Sequence, residues 1–346
     1  MGNQRGTVYN YIVTPEKLAQ CNEDNIQLGK DFLEYLSSID RAKTTIHSYE
    51  GDLSIFWVYC LEHLNNKFFV DLSKRDISKF QNHCINKWNW SPARVRRVKS
   101  TLSSLSNFVE SMLDDEFEGY RPIIRKIENP ANAPVREKSV FTEEQLQEIL
   151  DKLVEKKRYD KACMVSLAMN GGRRKTELTR FKVSYFTDDN IIYGSLYKTP
   201  EQIKTKGRGS RGKMLTCYTL AKPFKPYLDL WLKDREEKGI TSDWLFPAKV
   251  DGKYVDEPIS TDTLDTWATT ITGLTDIPFY FHSLRHYFVS ACSRSGLPDN
   301  VIQSLVGWSD ISMVSVYNDV EADEQFEKYF NEDGIVKREE TTLSDL

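Results

Sequence analysis

The chain has 346 residues, 40% of them hydrophobic, and a formal net charge of −4 at pH 7. That length suits two domains, each able to bury a core, and no apolar run approaches the ~20 residues of a membrane span. The negative total argues against a nucleic-acid partner only weakly, because the location of charge sets the field at a binding face.

Residues 1–24 read as an N-terminal extension. Ile26, Leu28, Phe32, Leu33 and Leu36 recur near helical spacing over 25–38. A longer pattern over 43–63 predicts a second helix, with Thr44 or Thr45 as its N-cap, since a hydroxyl accepts an orphan backbone N–H. Residues 72–87 supply a third helix. Ser91-Pro92 opens a fourth, with serine at the cap and proline at the first helical position, running to about Leu113. Its apolar side carries Val95, Val98, Leu102, Leu105 and Phe108, and its basic side Arg94, Arg96, Arg97 and Lys99. Residues 25–128 therefore read as a helical bundle. The prolines and asparagines of 129–139 block both helix and sheet pairing and mark a linker.

Thr142 and Gln145 form a capping-box pattern at the start of a helix over 142–156, and a helix over 158–170 follows. A β-rich stretch covers 189–198 and 213–219, with a loop at 199–212 between them. Helices return at 222–236, 261–271, 283–295, 298–306 and 310–317. Residues 321–330 read as a short amphipathic helix anchored by Phe326, Tyr329 and Phe330, and the tail 332–346 is polar. The expected fold class is mainly α, with a small antiparallel β-sheet in a second domain spanning 140–331.

The six cysteines are scattered, with no C-x-x-C pair, which favours reduced thiols in a cytosolic setting over a disulfide framework or a structural zinc site. The polar stretch Met1 to Val13 lacks the apolar core of a signal peptide. Acidic residues crowd the C-terminal end, while basic ones cluster at Arg94–Lys99, Arg173–Lys175 and Lys204–Lys213.

Chemistry gathers in the second half. His282, Arg285 and His286 share a helical face, where a ring N–H and a guanidinium fork suit a phosphate. Read alone, the pattern also describes a helix with one buried histidine. A zinc site on His282 and His286 would want glutamate after the first histidine, and Ser283 stands there. Gly172-Arg173-Arg174-Lys175 sets a basic cluster behind a glycine, or else is a solvated charge run. Lys204, Lys206, Arg208, Arg211 and Lys213 lie on a glycine-bearing segment between strands, suited to a nucleic-acid groove or to a plain surface hairpin. Trp308 follows Gly307, and Tyr317 follows in turn; a tyrosine acts as a nucleophile only in suitable company.

In this order, Arg…Lys…His-x-x-Arg…Trp…Tyr, the chain resembles the tyrosine recombinase (phage integrase) family over residues 25–330. The family's G-x-R-x-[ST]-E-L box aligns with Gly172 to Leu178, which implies a catalytic Arg174 supported by Glu177. Its hairpin lysine matches Lys206-Gly207, with Lys204-Thr205 as the alternative. Its H-x-L-R-H box matches His282, Arg285 and His286; Trp308 stands where histidine is commoner, and Tyr317 holds the nucleophile position. The helical domain resembles the family's SAM-like core-binding domain, and an arm-binding domain is expected to be absent.

The resemblance implies DNA strand cleavage and rejoining through a 3′-phosphotyrosyl bond, with neither metal nor ATP as cofactor. Arg174, Arg285 and Trp308 would hold the phosphate, Lys206 would protonate the leaving oxygen, His282 would manage the tyrosine proton, and His286 would support the phosphate or the fold. It implies a homo-tetramer on two double-stranded DNA core sites, with helix 321–330 exchanged between protomers or else packed on its own core. It also implies a C-shaped clamp, with Arg94, Arg96, Arg97, Lys99, Arg173, Lys175, Arg208 and Arg211 as DNA contacts, and accessory DNA-bending proteins as further partners. The expected setting is the prokaryotic cytoplasm and nucleoid, or a virus or other mobile element. The rival readings are a type IB topoisomerase, a non-catalytic DNA-binding protein on the same scaffold, and, more distantly, a zinc hydrolase.

Overall fold

The computed structural model describes residues 11–131, 141–205, 212–318, and two short strands at 330–331 and 334–335. The chain divides into two compact units, the first ending at Glu137.

The first unit is helical: α1 (Pro15–Leu18), α2 (Glu23–Ser38), α3 (Lys43–His63), α4 (Lys74–Asn86) and α5 (Pro92–Met112). Short polar residues start most of them. Asn22 accepts from the backbone N–H of Asp24 and Asn25, Ser73 and Asp76 form a capping box, and Ser91 accepts from Arg94 N ahead of Pro92. Helix α3 is the exception to the expected capping. Thr45 N already bonds to Ala42 O, so Thr44 and Thr45 lie inside the first turn and neither is the N-cap. From Leu53 to Cys60 nearly every α3 side chain is buried, which makes it the central helix. Its Phe56 meets Phe80 of α4 edge-on, ring centroids 4.9 Å apart. Ile12, Val13 and Cys21 are buried in the same core, so the chain from residue 12 onward belongs to the bundle and is not an extension to it.

The expected apolar side of α5 is buried throughout. Its basic side divides. Lys99 is buried and donates to Gln81 Oε1, Ile127 O and Glu128 O at 2.7, 2.9 and 3.0 Å. It therefore ties down the chain leaving the bundle and is not the exposed DNA contact expected. Arg96 donates from Nε and Nη2 to Pro130 O. Arg94 and Arg97 share the buried carboxylate of Asp52, which also accepts from Thr101 Oγ1 at 2.9 Å and so joins α3 to α5.

The second unit opens with α6 (Glu143–Glu155), α7 (Tyr159–Gly171) and the single-turn α8 (Lys175–Leu178). Thr142 and Gln145 form the expected capping box. Strands β1 (Ile191–Ile192), β2 (Leu196–Lys198), β3 (Ile203–Thr205), β4 (Lys213–Leu215) and β5 (Tyr218–Leu220) follow. The sheet order is β1-β2-β5, all antiparallel, with β3 and β4 pairing separately. The segment 199–212 is thus not wholly loop: Thr205 pairs with Lys213 and Ile203 with Leu215. The stretch 213–219 holds two strands in different sheets. Then come α9 (Ala221–Glu237), a hairpin of β6 (Pro247–Val250) and β7 (Lys253–Pro258), α10 (Thr261–Thr275), α11 (Phe281–Arg294), α12 (Asp299–Val306) and α13 (Ser312–Tyr317). Of the expected helix 321–330, residues 321–329 lie outside the described residues. Phe330 instead opens strand β8 (Phe330–Asn331), which pairs with β9 (Gly334–Ile335).

Two glycine corners shape this unit. Gly172 ends α7 at φ +61°, and a Cβ there would stand 2.5 Å from Phe288 Cδ1. Gly307 ends α12 at φ +72°, and a Cβ there would stand 2.3 Å from Leu215 Cδ1. Left-handed backbone and close approach both demand glycine. Gly307→Ala should therefore destabilise the protein by about 1–3 kcal/mol, the usual cost of overpacking. Chemical denaturation would measure this, and an unchanged midpoint would contradict the close packing of β4 on the α12 corner.

Candidate active site

The segment from Gly172 to Leu178 turns sharply and sends successive arginines to different places. Arg173 is fully buried, and its Nη2 donates to Tyr218 O at 3.2 Å and to Leu305 O. It is an internal strut, not the DNA contact expected. Arg174 is the N-cap of α8 and only partly buried. Glu177, one turn on, returns its Oε2 to Arg174 N at 3.0 Å and accepts from Arg174 Nη1 on Oε1 at 3.1 Å. The same Oε1 accepts from the Thr205 hydroxyl of β3. Burial opposes ionisation of Glu177, but Thr205, the Arg174 backbone N–H and the charges of Arg173 and Arg174 outweigh it and hold the carboxyl below its ordinary value.

Helix α11 starts one turn before the buried Arg285, so His282 stays exposed at the helix start while Arg285 points inward. Arg285 donates from Nη1 to Gly172 O at 2.7 Å and from Nη2 to Val306 O at 3.3 Å. Its Nη1 also lies 4.0 Å from Glu177 Oε2. The last carbonyls of α12, at Leu305 and Val306, are thus met by Arg173 and Arg285, which satisfies acceptors at the negative end of a helix.

Tyr317 ends α13 within this frame. Its Oη is 3.0 Å from His282 Nε2. Its ring stacks on His286, with centroids 4.4 Å apart and planes 28° apart, and lies 4.9 Å from the Trp308 ring. Arg285 Cζ sits 4.7 Å from the centroid of Trp308 and 5.6 Å from that of Tyr317. Trp308 Nε1 and Arg285 Nε are buried donors with no hydrogen-bond partner among the described residues. Such donors cost about 1–3 kcal/mol each when left unmet, so an acceptor in this corner would be held strongly.

Partial burial, then His286, Arg285, Arg174 and Lys175, press His282 below the ordinary imidazole value. A lowered value favours the neutral ring, the form able to accept a proton. Burial and then Arg174 likewise lower Arg285, to about 9. A guanidinium nonetheless stays charged in proteins, and an anion between the two arginines would relieve the repulsion.

The structure brings Arg174, Glu177, His282, Arg285, His286, Trp308 and Tyr317 into one connected site. Lys204 is exposed on β3, and its carbonyl accepts from Arg180 Nη1 at 2.7 Å. Lys206, Arg208 and Arg211 lie outside the described residues. Lys175 pairs with Asp265 at 2.6 Å, and Lys213 donates to Gly307 O at 3.3 Å. No group of three His, Cys, Asp or Glu side chains among the described residues could hold a metal ion. Sequence reading missed Thr205 and Arg180. The alternation of Ile203 inward, Lys204 outward and Thr205 inward is the signal that could have found the first.

Because the Glu177 pKa is depressed on folding, its stabilisation is present above the unfolded carboxylate value of roughly 4.3 and is lost as pH falls through the folded value. Glu177→Gln should cost about 1–3 kcal/mol at pH 7, with the gap to wild type closing below pH ~4. Denaturation midpoints across pH 3–8 measure this, and a gap independent of pH would show that the charge is not the stabilising element.

Residues 139–324 match the phage integrase family, and residues 28–118 match the phage integrase N-terminal SAM-like domain. The chain is 27% identical to the SPbeta prophage-derived recombinase-like protein YomM of Bacillus subtilis (strain 168), over 70% of each chain. It is 22% identical to tyrosine recombinase XerD of Oceanobacillus iheyensis, over 84% of this chain and 93% of the relative. Among solved structures it is similar in fold to the XerH site-specific recombinase bound to palindromic difH substrate, with TM-score 0.63, 17% identity, and 94% and 91% of the two chains covered. With that match across more than half its length, and with the arginine, histidine and tyrosine boxes joined in one site, the chain belongs to the phage integrase family of tyrosine recombinases.

Proposed function

We propose that this protein is a site-specific DNA recombinase that cuts and rejoins strands through a 3′-phosphotyrosyl intermediate. The observation that carries this reading is the 3.0 Å contact between Tyr317 Oη and His282 Nε2, beside the unmet donors of Arg285 and Trp308. A phosphodiester is anionic and resists attack by an oxygen nucleophile. Arg174, Arg285 and the Trp308 indole stabilise the additional charge of the pentavalent transition state. Tyr317 Oη attacks phosphorus and passes its proton to neutral His282. The P–O5′ bond breaks, and O5′ takes a proton from a hairpin lysine, Lys206 or Lys204, leaving as a free hydroxyl. The phosphotyrosyl bond conserves the energy of the bond it replaces. A 5′-hydroxyl of the partner strand can then reverse the step without ATP or a metal ion.

Exchanging both strands of two duplexes requires four tyrosines, so the active assembly is a homo-tetramer on paired core sites. Arg94 and Arg97 on α5 are partly exposed cations that the first unit offers to phosphates. In that assembly segment 321–330 is exchanged between protomers, and accessory DNA-bending proteins act on the paired sites.

Incubation with nicked duplexes that release a short fragment on cleavage, in the presence of EDTA, should yield a covalent DNA adduct at Tyr317. Tyr317→Phe should lose the adduct and keep DNA binding, while Arg285→Ala should slow it by about 10²–10³-fold. An adduct that survives Tyr317→Phe would sink the assignment. With native protein, the cleavage rate should hold level from pH 8 to below the ordinary imidazole value of ~6.5 and fall only under that, since His282 must be neutral and its pKa is lowered. Removing Arg94 and Arg97 together should weaken DNA binding uniformly across sequences and flatten the salt dependence by about one unit of slope per lost phosphate contact. A salt slope equal to wild type would remove both residues from the interface.

A further inference from the structure

The chain between Arg174 and Arg180 does two jobs. It carries Arg174, and it holds strand β3 at two points. On the buried side, the Thr205 hydroxyl donates to Glu177 Oε1. On the other side, Arg180 Nη1 donates to Lys204 O at 2.7 Å. Thr205 is itself buried, whereas Lys204 beside it is exposed. Each candidate lysine is therefore a direct chain neighbour of the one side chain that β3 bonds to the Glu177 carboxylate. That carboxylate also takes the Arg174 backbone N–H and guanidinium.

We infer that Thr205 is a positioning residue that couples the proton-donating lysine of the hairpin to the phosphate-binding arginine through Glu177. The inference rests on the proposed strand cleavage. A general acid must meet the leaving O5′ within hydrogen-bond reach while Arg174 holds the same phosphate. One carboxylate oxygen shared by Thr205 and Arg174 ties those two placements together. Thr205 touches no reacting atom. Its loss leaves lysine, arginine and tyrosine present but lets the hairpin drift.

The reaction itself separates this role from a merely structural one. With an ordinary nicked duplex, O5′ needs a proton to leave. With a 5′-bridging phosphorothiolate, the P–S bond breaks and the thiolate leaves without one, so the lysine's contribution falls away while the demands on Arg174, Arg285 and Tyr317 remain. Thr205→Val should slow adduct formation on the ordinary duplex by about ten- to a hundredfold, part of the roughly 10²–10⁴-fold that a general acid supplies. It should come within about threefold of wild type on the phosphorothiolate. Thr205→Ser, which keeps the hydroxyl, should restore the ordinary rate. Arg180→Met, which cuts the second tie, should show the same phosphorothiolate-relieved defect and carries the test if Thr205→Val does not fold.

Three results overturn the inference: Thr205→Val and Arg180→Met both matching wild type, Thr205→Ser as slow as Thr205→Val, or a defect that persists on the phosphorothiolate, which would assign Thr205 to phosphate binding. If wild-type protein forms no adduct on either substrate, the cleavage reading itself falls and takes this inference with it. If wild type and both variants form adduct equally fast, only the inference falls.

Discussion

The second unit depends on one buried negative charge. Arg173 and Arg285 are fully buried, Arg174 is partly so, and three guanidiniums this close would repel one another in a medium of low dielectric. Glu177 is the acidic side chain among them, and it is ionised because several donors converge on it. Charge balance is still incomplete, with three cations set against one carboxylate. Under the proposed reaction, a phosphate would supply the missing anion. The same electrostatics would favour a phosphodiester in the proposed reaction, and more so its more highly charged transition state.

Around that charge the backbone is arranged by helix ends. Gly172 and Gly307 both turn left-handed at helix C-termini, and both leave carbonyls that need donors. Arg285 meets Gly172 O and Val306 O together, so one side chain joins the two corners before it ever meets a substrate. Trp308 packs against that guanidinium immediately after the second corner. Tyr317, the nucleophile of the proposed reaction, sits on a different kind of element. Helix α13 is short and buries only Val314. Val314 is nonetheless buried in the cluster of α11 and α12, with Met313 and Tyr317 packed against it.

Much of this was legible in the sequence because the governing signals are local. The Ser91-Pro92 start, the Thr142/Gln145 box and the helical spacing of the apolar residues of α5 depend on neighbours within one or two turns, and all stand as expected. The order of the chemical residues also carried through, since His282, Arg285, His286, Trp308 and Tyr317 do converge. What failed was whatever depends on distant partners. Lys99 looks solvent-bound by composition, yet it meets carbonyls 28 and 29 residues away. Arg173 looks like its neighbour Arg174, yet a left-handed glycine sends it into the core toward a carbonyl 132 residues on. Strands β6 and β7 carry many polar residues, so their pairing is set by register with a partner and leaves little periodicity to read.

The two units solve the same problem by similar means. In the second, Glu177 lies beneath Arg174 and beside Arg285, with the Thr205 hydroxyl as a further donor. In the first, Asp52 lies beneath Arg97 and Arg94, with the Thr101 hydroxyl in the corresponding role. The outcomes differ. Burial outweighs Arg97, Arg94 and Thr101 at Asp52 and raises its carboxyl, whereas the partners of Glu177 outweigh burial and lower it. One difference lies in the partners: the Arg174 backbone N–H donates to Glu177, and no backbone donor is among those that lower Asp52. A carboxylate held firmly in its charged form fixes arginine geometry to the precision that catalysis requires. At Asp52 the same kind of cluster has a buried carboxylate and joins α3 to α5, with Arg97 and the Thr101 hydroxyl bonded to that carboxylate.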